Sequence, residues 1–348
     1  MTQTSFSACS FNAFIERQAK DCFYYCQAWL DLITKVYGYS VIPLTTTNRN
    51  NQLTGFLPLC FIRSPLTGRH LVSLPFSDQC PLLAVDEPSA KDLIDQAISL
   101  AQQWRVRYLE LRTGVTDVLA KRSDLAERNL YVRWVIPLAT DPDIVWSNIG
   151  RTTRQQVSRS RKLGVQIRIA HQREDMLNYY RLHLQTRAKK HGMPAQPLRF
   201  FYELWDTFAA RGMMRLFLAE YQESVIAGTI LLTSGKTAHD SYGAANIDYL
   251  NLSPNHLVMW EAIKWCCMNG YQTYDIGRTA TANHGLMLFK RRWGAIKEPL
   301  PYYYYPCIKG LAATSESSRK YRLLTTCWKQ LPLEIAGPLG GYLYKHLG

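Results

Sequence analysis

Residues 214–276 read MRLFLAEYQESVIAGTILLTSGKTAHDSYGAANIDYLNLSPNHLVMWEAIKWCCMNGYQTYDI. Three strands are legible in this stretch, Met214–Tyr221, Val225–Thr233 and Lys236–Gly243, joined at Gln222-Glu223-Ser224 and Ser234-Gly235. A helix is predicted over Asn255–Asn269, with Pro254 just before it and Gly270 as the residue that leaves it. A strand, Thr273–Ile276, follows. Strands feeding a helix that returns to a further strand place the chain in the α/β class.

Upstream, the pattern predicts a basic helix over Thr152–Lys162 closed by Gly164, a strand Val165–Ile169, and helices Asp175–Lys190 and Leu198–Arg211. Downstream come a short helix, Gly285–Trp293, and a strand, Leu300–Tyr305. The first half repeats the order. It has a helix Tyr25–Tyr37, strands Leu53–Ile62 and His70–Leu74, and a helix Ser89–Trp104 with Ser89 as its cap. A strand Tyr108–Leu111, a helix near Thr116–Arg128 and a strand Tyr131–Pro137 complete it. Leu93–Ile98 and Tyr108–Arg112 align with Val258–Ile263 and Tyr274–Arg278, which points to a duplicated domain. The expected organisation is one domain over 1–137, a second over 138–306, and a tail over 307–348.

The 348 residues are 47% apolar, which excludes a disordered or collagen-like chain. The longest clean apolar run is Val225 to Leu232, too short to span a bilayer. Met1–Phe14 has no basic segment ahead of an apolar one, so a cytoplasmic protein is expected. Nine cysteines show no Cys-x-x-Cys spacing and no zinc pattern, and the histidines form no ligand pair, so no metal is expected.

The net charge is +14, and the segment from Arg151 to Arg199 carries 12 basic and 2 acidic residues. A block of one sign points to a polyanionic or phosphate-bearing partner. Arg151, Arg154, Arg161 and Lys162 recur at spacings that put several of them on one helix face, with Arg159 beside them. The tail mixes Lys309, Arg319, Lys320, Arg322, Lys329 and Lys345 with apolar residues, the composition of an interfacial segment at the inner membrane face. Prolines 332 and 338 and glycines 337, 340 and 341 are expected to break any long helix there. Nucleotide-binding glycine fingerprints, the Walker loop, Gly-x-Ser-x-Gly and His-Glu-x-x-His are all absent, which argues against the common kinases and hydrolases.

The series Tyr242-Gly243-Ala244, Pro254-Asn255, Trp260-x-x-Ile263-x-Trp265, Gly270, Tyr274-Asp275-Ile276-Gly277-Arg278 and Gly285-Leu286-x-x-Phe289-Lys290-x-x-Trp293-Gly294 resembles the FemAB/FemX-type transferases. These belong to the GNAT superfamily and have BioF2-like acetyltransferase domains in tandem. Arg151-x-x-Arg154-x-x-Val157-x-Arg159-Ser160-x-Lys162 is similar to the basic helix that opens their second domain. Trp328–Leu333 with Gly337-Pro338 is like the tail of the exopolysaccharide-associated branch. The resemblance is clearest over 134–306.

It implies tandem GNAT-like α/β domains, each a mixed sheet flanked by helices. It further implies transfer of an acyl or aminoacyl group from an activated carrier to an amine of a peptidoglycan or exopolysaccharide precursor. The donor is then an aminoacyl-tRNA or an acyl-CoA, with no tightly bound cofactor. The CoA reading needs a glycine-rich loop before the helix at 255, and Asp248–Asn255 contains no glycine. An acetyl-CoA-dependent enzyme acting on a sugar amine or small amine stays open, as does a non-catalytic RNA- or membrane-binding module.

Attack of an amine on an ester or thioester builds an oxyanion, which needs a preorganised donor or cation. Lys290 falls at the family's Phe-Lys pair and takes that role or contacts the donor's phosphate, with Phe289 beside it. Asp275 orients or deprotonates the amine, or else pairs with Arg278 structurally. Tyr242 positions substrate or serves as a plain strand aromatic. Arg151, Arg154, Arg159, Arg161, Lys162, Arg278 and Phe289 are the expected substrate contacts, and His256 or His284 is the alternative base.

Overall fold

A computed structural model describes residues 8–65, 67–306 and 319–346 of the chain. They form two compact units. Among those residues, the first comprises 8–65, 67–131, 299–306 and 346, and the second 132–298 and 319–345.

The first unit begins with helices α1 (Ala8–Ala19) and α2 (Gln27–Tyr37), then strands β1 (Ser40–Thr47), β2 (Leu53–Ser64), β3 (Gly68–Val72) and β4 (Leu83–Ala84). Helix α3 (Glu87–Gln103), strand β5 (Tyr108–Leu111), helix α4 (Asp117–Ala120) and strand β6 (Ala126–Pro137) follow. β1, β2 and β3 make an antiparallel meander, and β3 runs parallel to β5 through the α3 crossover. Asp86, not Ser89, caps α3: its carboxylate accepts the Ser89 N–H at 2.8 Å. The helix expected over Thr116–Arg128 shrinks to the single turn of α4. Arg122 forks onto Asp124 at 2.7 Å and Asp95 at 2.6 Å, and a strand starts at Ala126 instead.

The second unit contains α5 (Pro142–Asn148), α6 (Arg151–Lys162), β7 (Gln166–Ile169), α7 (Asp175–Leu184), α8 (Leu198–Phe208), β8 (Met214–Tyr221), β9 (Ser224–Ser234) and β10 (Thr237–Ala245). It continues with α9 (Pro254–Met268), β11 (Thr273–Ala280), α10 (His284–Arg292) and β12 (Ile296–Tyr305), whose last residues lie in the first unit and pair antiparallel with β5. The sheet order is β11-β10-β9-β8-β7, with β6 on the outer side of β11. β7 to β10 are antiparallel and β10 runs parallel to β11 through the α9 crossover. α9 is apolar nearly all round because it lies in the core: Leu257, Val258, Trp260, Ile263, Cys266 and Cys267 are all buried, packed with Trp134, Phe217, Tyr274 and Trp293. The cysteine pair thus serves as small hydrophobes.

Helix α7 passes into a π-helical stretch, Gln185–His191, where one continuous helix is expected from the sequence. The chain ends in α11 (Arg319–Gln330) and α12 (Leu333–Tyr344). Here the structure departs from expectation, because Pro338 and all three glycines lie inside α12. Pro338 is on the exposed side. Gly340 and Gly341 face Ala195 and Pro197 at distances that leave no room for a Cβ, and Gly337 lies close against the Tyr180 hydroxyl. A Cβ on Gly340 would sit 2.9 Å from the Ala195 nitrogen.

Gly340→Val is therefore expected to lower stability by about 1–3 kcal/mol through overpacking against backbone. Gly243→Ala, whose Cβ meets only the Thr229 hydroxyl at 3.8 Å, leaves it unchanged. Urea unfolding midpoints of the two variants provide the comparison.

Candidate active site

Strand β10 stays on β9 along its whole length, but its register slips between Asp240 and Tyr242, leaving Ser241 as a bulge. Its pairing with β11 covers only Thr237–His239 against Thr273–Asp275. Beyond those three pairs the two strands part, β10 continuing to Ala245 and β11 to Ala280. Such a fork leaves main-chain and side-chain polar groups without a neighbouring strand, and the sequence fills it with charge.

Two carboxylates sit at the fork in opposite environments. The half-buried Asp240 accepts from the Thr229 hydroxyl and from Tyr274 at 3.1 Å. Burial pushes its carboxyl above the usual range, against the pull of those two hydroxyls and of Lys290. Asp275, 6% exposed, accepts Arg133 Nε at 2.9 Å and the Gly277 N–H at 2.8 Å, with His239 Nδ1 at 3.2 Å. Burial alone would raise it too. His239, Arg133 and the Gly277 amide overcome that and hold it well below the carboxylate range. Arg133 is shared with Glu298 at 2.9 Å. Two acids pushed apart in this way fit one proton-accepting group and one permanent charge.

Lys290 of α10 is buried, and its ammonium donates to the carbonyls of Gly277 at 2.9 Å and Arg278 at 3.0 Å, at the free end of β11. Arg278 is half-buried beside it. Asp275 pairs with Arg133 and His239, where the sequence offered Arg278 as its structural partner. The Tyr242 carbonyl accepts from Tyr179 at 2.6 Å, and its ring meets Phe200 and Phe201 edge-on. Phe289 packs edge-on against His256, whose ring lies over Trp293. Burial lowers the pKa of His256, which keeps the ring neutral at pH 7. His284 is exposed at the start of α10.

The basic helix joins this region through α10. The Gly150 N–H donates to the Arg292 carbonyl at 2.8 Å, so α6 begins where α10 ends. Gly294, at φ 74°, allows the same approach from the other side, since a Cβ there would lie 2.9 Å from the Asn148 carbonyl. Arg151, Arg154, Arg159 and Lys162 line a shallow groove of about 520 Å³ with Trp146, Gln155, Ser158 and Leu163. Among the described residues no carboxylate pairs with these four cations. Arg161 departs from the expected shared face: it turns to Glu261 of α9 at 2.7 Å, and Arg159 takes its place in the groove. Four unpaired cations around a half-buried tryptophan suit phosphates. No group of side chains suited to holding a metal occurs among the described residues.

Sequence reasoning passed over Arg133, Thr229, His239 and Asp240. The available signal was the pair His239-Asp240 inside an otherwise apolar strand, a place where Asp is depleted unless it serves a purpose.

Residues 147–291 match the acetyltransferase (GNAT) domain family. The chain is 33% identical over 84 residues to the lipid II:glycine glycyltransferase of Staphylococcus haemolyticus, a stretch covering 22% of this chain and 20% of that protein. A second such enzyme, from Staphylococcus epidermidis, is 35% identical over 75 residues, 20% of this chain and 18% of that protein. The matched stretch is thus about a fifth of each relative's length. Among solved structures, FemX superposes with a TM-score of 0.68 at 15% identity, covering 88% of this chain and 98% of that one. A tandem GNAT protein of the clavulanic acid pathway gives 0.52 at 12% identity, covering 86% and 94%. The fold is therefore shared with these tandem GNAT proteins, and the match to the GNAT domain family lies over residues 147–291.

Removing one partner of a buried ion pair is expected to be costly, so Asp275→Asn should lose about 3 kcal/mol at pH 7. The Asp275 carboxyl is held below its unfolded value of about 3.9. Its stabilisation is therefore complete above that pH and drains away as pH falls toward the folded value. Asp240 behaves in the opposite sense: its raised value makes the folded state lose stability as pH climbs through it. Urea titrations between pH 2 and 7 should show a flatter acid limb in Asp275→Asn, and an unchanged limb would remove Asp275 from this role.

Proposed function

We propose that this chain, with its GNAT domain of FemAB/FemX-like character, is an N-acyltransferase that moves an acyl or aminoacyl group from an activated carrier to an amine of a cell-envelope precursor. The observation that carries this reading is the fork between β10 and β11, with Asp240, Asp275 and Lys290 around it, inside the segment that matches the GNAT family.

In this reaction the amine nitrogen attacks the carbonyl carbon of the donor ester or thioester. A tetrahedral oxyanion forms, and it collapses by expelling the carrier's alkoxide or thiolate. The attacking nitrogen must give up a proton, and Asp240 is the acceptor we assign. Its raised pKa brings it nearer to working pH than an ordinary carboxylate. The Lys290 cation lies at the same fork and opposes the developing negative charge. Asp275, fixed by Arg133 and His239, keeps a permanent charge that orients the incoming amine. Tyr242, at the bulge, lines the path with its ring anchored by Phe200 and Phe201. Arg278 and Phe289 complete the wall.

The basic groove on α6 receives the phosphates of the donor or of the acceptor's carrier, using Arg151, Arg154, Arg159 and Lys162, with Arg161 braced on Glu261 at its edge. The donor we favour is an aminoacyl-tRNA, because the segment before α9 is a 3-10 helix, Ile247–Leu252, rather than a glycine-rich cradle. Acyl-CoA is the second reading, supported by the GNAT match itself. The reaction places the protein on the cytoplasmic side, at the face of the membrane.

Transfer from labelled aminoacyl-tRNA and from acetyl-CoA to a precursor amine, run in parallel, separates the donors. Asp240→Asn should stay folded and lose about 10²-fold or more in kcat. The wild-type rate should fall on the acid side at a pH above that of an ordinary carboxylate, and the variant should lack that step. Arg151→Glu with Arg159→Glu should weaken donor binding steeply at low salt and little at high salt. No transfer from either donor, or full activity in Asp240→Asn, would sink the reading.

A further inference from the structure

Helix α12 has two unlike faces, and neither is polar. Ala336, Gly337 and Gly340 are buried, and they bring the helix onto Leu184, Tyr180 and Ala195. The opposite face carries Ile335, Pro338, Leu339 and Tyr342, at i, i+3, i+4 and i+7, all exposed. Ile335 is 51%, Leu339 39% and Tyr342 59% exposed. A surface helix of a soluble domain puts charge at those positions. Here Glu334 is the one charged residue among the twelve of α12. The stripe borders an apolar cavity of about 800 Å³ between α7, the start of α8 and α12, lined by Tyr180, Leu184, Leu198, Leu333 and Tyr342, with Arg181 on its wall.

The charge around the stripe is mostly positive, Glu334 at the cavity rim being the exception. Over 325–346 the charged residues are Lys329, Lys345 and Glu334. Lys329 is exposed, and the Lys345 ammonium lies over the Tyr342 ring at 4.7 Å. Arg181 and Lys190 are exposed on the neighbouring helical segment. A second copy of the chain on this face would bring like charges together, whereas an anionic surface is attracted by them. No helix among the described residues is long and apolar enough to cross a membrane, so the contact is one of lying on the surface.

We infer that α12 is a membrane-docking helix. Ile335, Leu339 and Tyr342 enter the interface of an anionic bilayer, the flanking lysines and Arg181 contact headgroup phosphates, and the cavity beside the helix takes a lipid acyl chain. This docking does not depend on the transfer reaction proposed above. It supplies that reaction with a substrate held at the bilayer surface.

The test is flotation of the full chain with vesicles of phosphatidylglycerol and phosphatidylcholine, and of phosphatidylcholine alone. The wild type should float with the anionic vesicles. Ile335→Glu with Leu339→Glu, at exposed positions, should keep its melting temperature and lose at least about tenfold in partitioning. Lys329→Glu with Lys345→Glu should lose the preference for anionic over neutral vesicles. Transfer to a water-soluble acceptor should be unaffected by the Ile335/Leu339 variant, so loss of docking and loss of catalysis are read separately. Equal flotation of wild type and variant would overturn the inference. So would a wild-type dimer in sedimentation equilibrium that the double glutamate variant dissolves while no form floats.

Discussion

The site depends on a limit to pairing: β10 can hold β11 for only three residues before the Ser241 bulge turns it away. A parallel pair that continued would satisfy its own amides and leave no room for a ligand. Once it stops, the polar groups near the fork need other partners, because an unpaired buried group costs a few kcal/mol. The Lys290 ammonium takes the carbonyls of Gly277 and Arg278. The Asp275 carboxylate takes the Gly277 amide. Each such solution places a charge in the opening, and those charges then shift one another. The difference between Asp240 and Asp275 follows: one has hydroxyl partners in a low-dielectric place, the other has a guanidinium and an imidazole.

Much of this architecture was legible because strong local signals coincided. The meander Met214–Ala245 has apolar runs bounded by turn residues, and α9 has Pro254 at its start and Gly270, at φ 74°, after its end. The basic helix was visible from charge alone. Less legible were features set by tertiary partners. Arg122, with Asp95 and Asp124, ends α4 after one turn, and Asp95 is 27 residues away in the chain. Strand β1 has Pro43 in its middle and lacks clean alternation, so only its register against β2 reveals it. Glycine and proline in α12 read as helix breakers until the close approach to Ala195 and Pro197 is known.

The site itself was partly legible, for the same reason. Lys290 and Asp275 fall in a motif-like spacing and are found at the fork. Asp240 has no motif. Its significance comes from Thr229 and Tyr274, which are 11 and 34 residues away in sequence and meet it only when the sheet forms. Arg133 is more remote still, 142 residues from Asp275. A residue whose role comes from such distant partners cannot be picked out by local pattern.

The two units give an internal comparison that bears on the proposed site. In the first unit β3 also pairs with β5 over three residues, His70–Val72 against Tyr108–Glu110, after an equivalent crossover helix. There the chain beyond β3 does not part from β5. The Ser73 N–H donates to the Glu110 carbonyl at 2.9 Å, the Arg112 N–H to the Ser73 hydroxyl at 2.7 Å, and the Cys80 N–H to the Arg112 carbonyl at 2.7 Å. The loop stays zipped to the strand, and Arg112 is spent internally on Glu110 and the Ser77 carbonyl. Tyr108, the counterpart of Tyr274, stacks on His70 rather than bonding a carboxylate. One copy of the fold has therefore closed its fork with backbone, and the other has opened it and lined it with acids and a lysine. The open fork lies in the second unit, and that is why the proposed acyl transfer is assigned there rather than to the first.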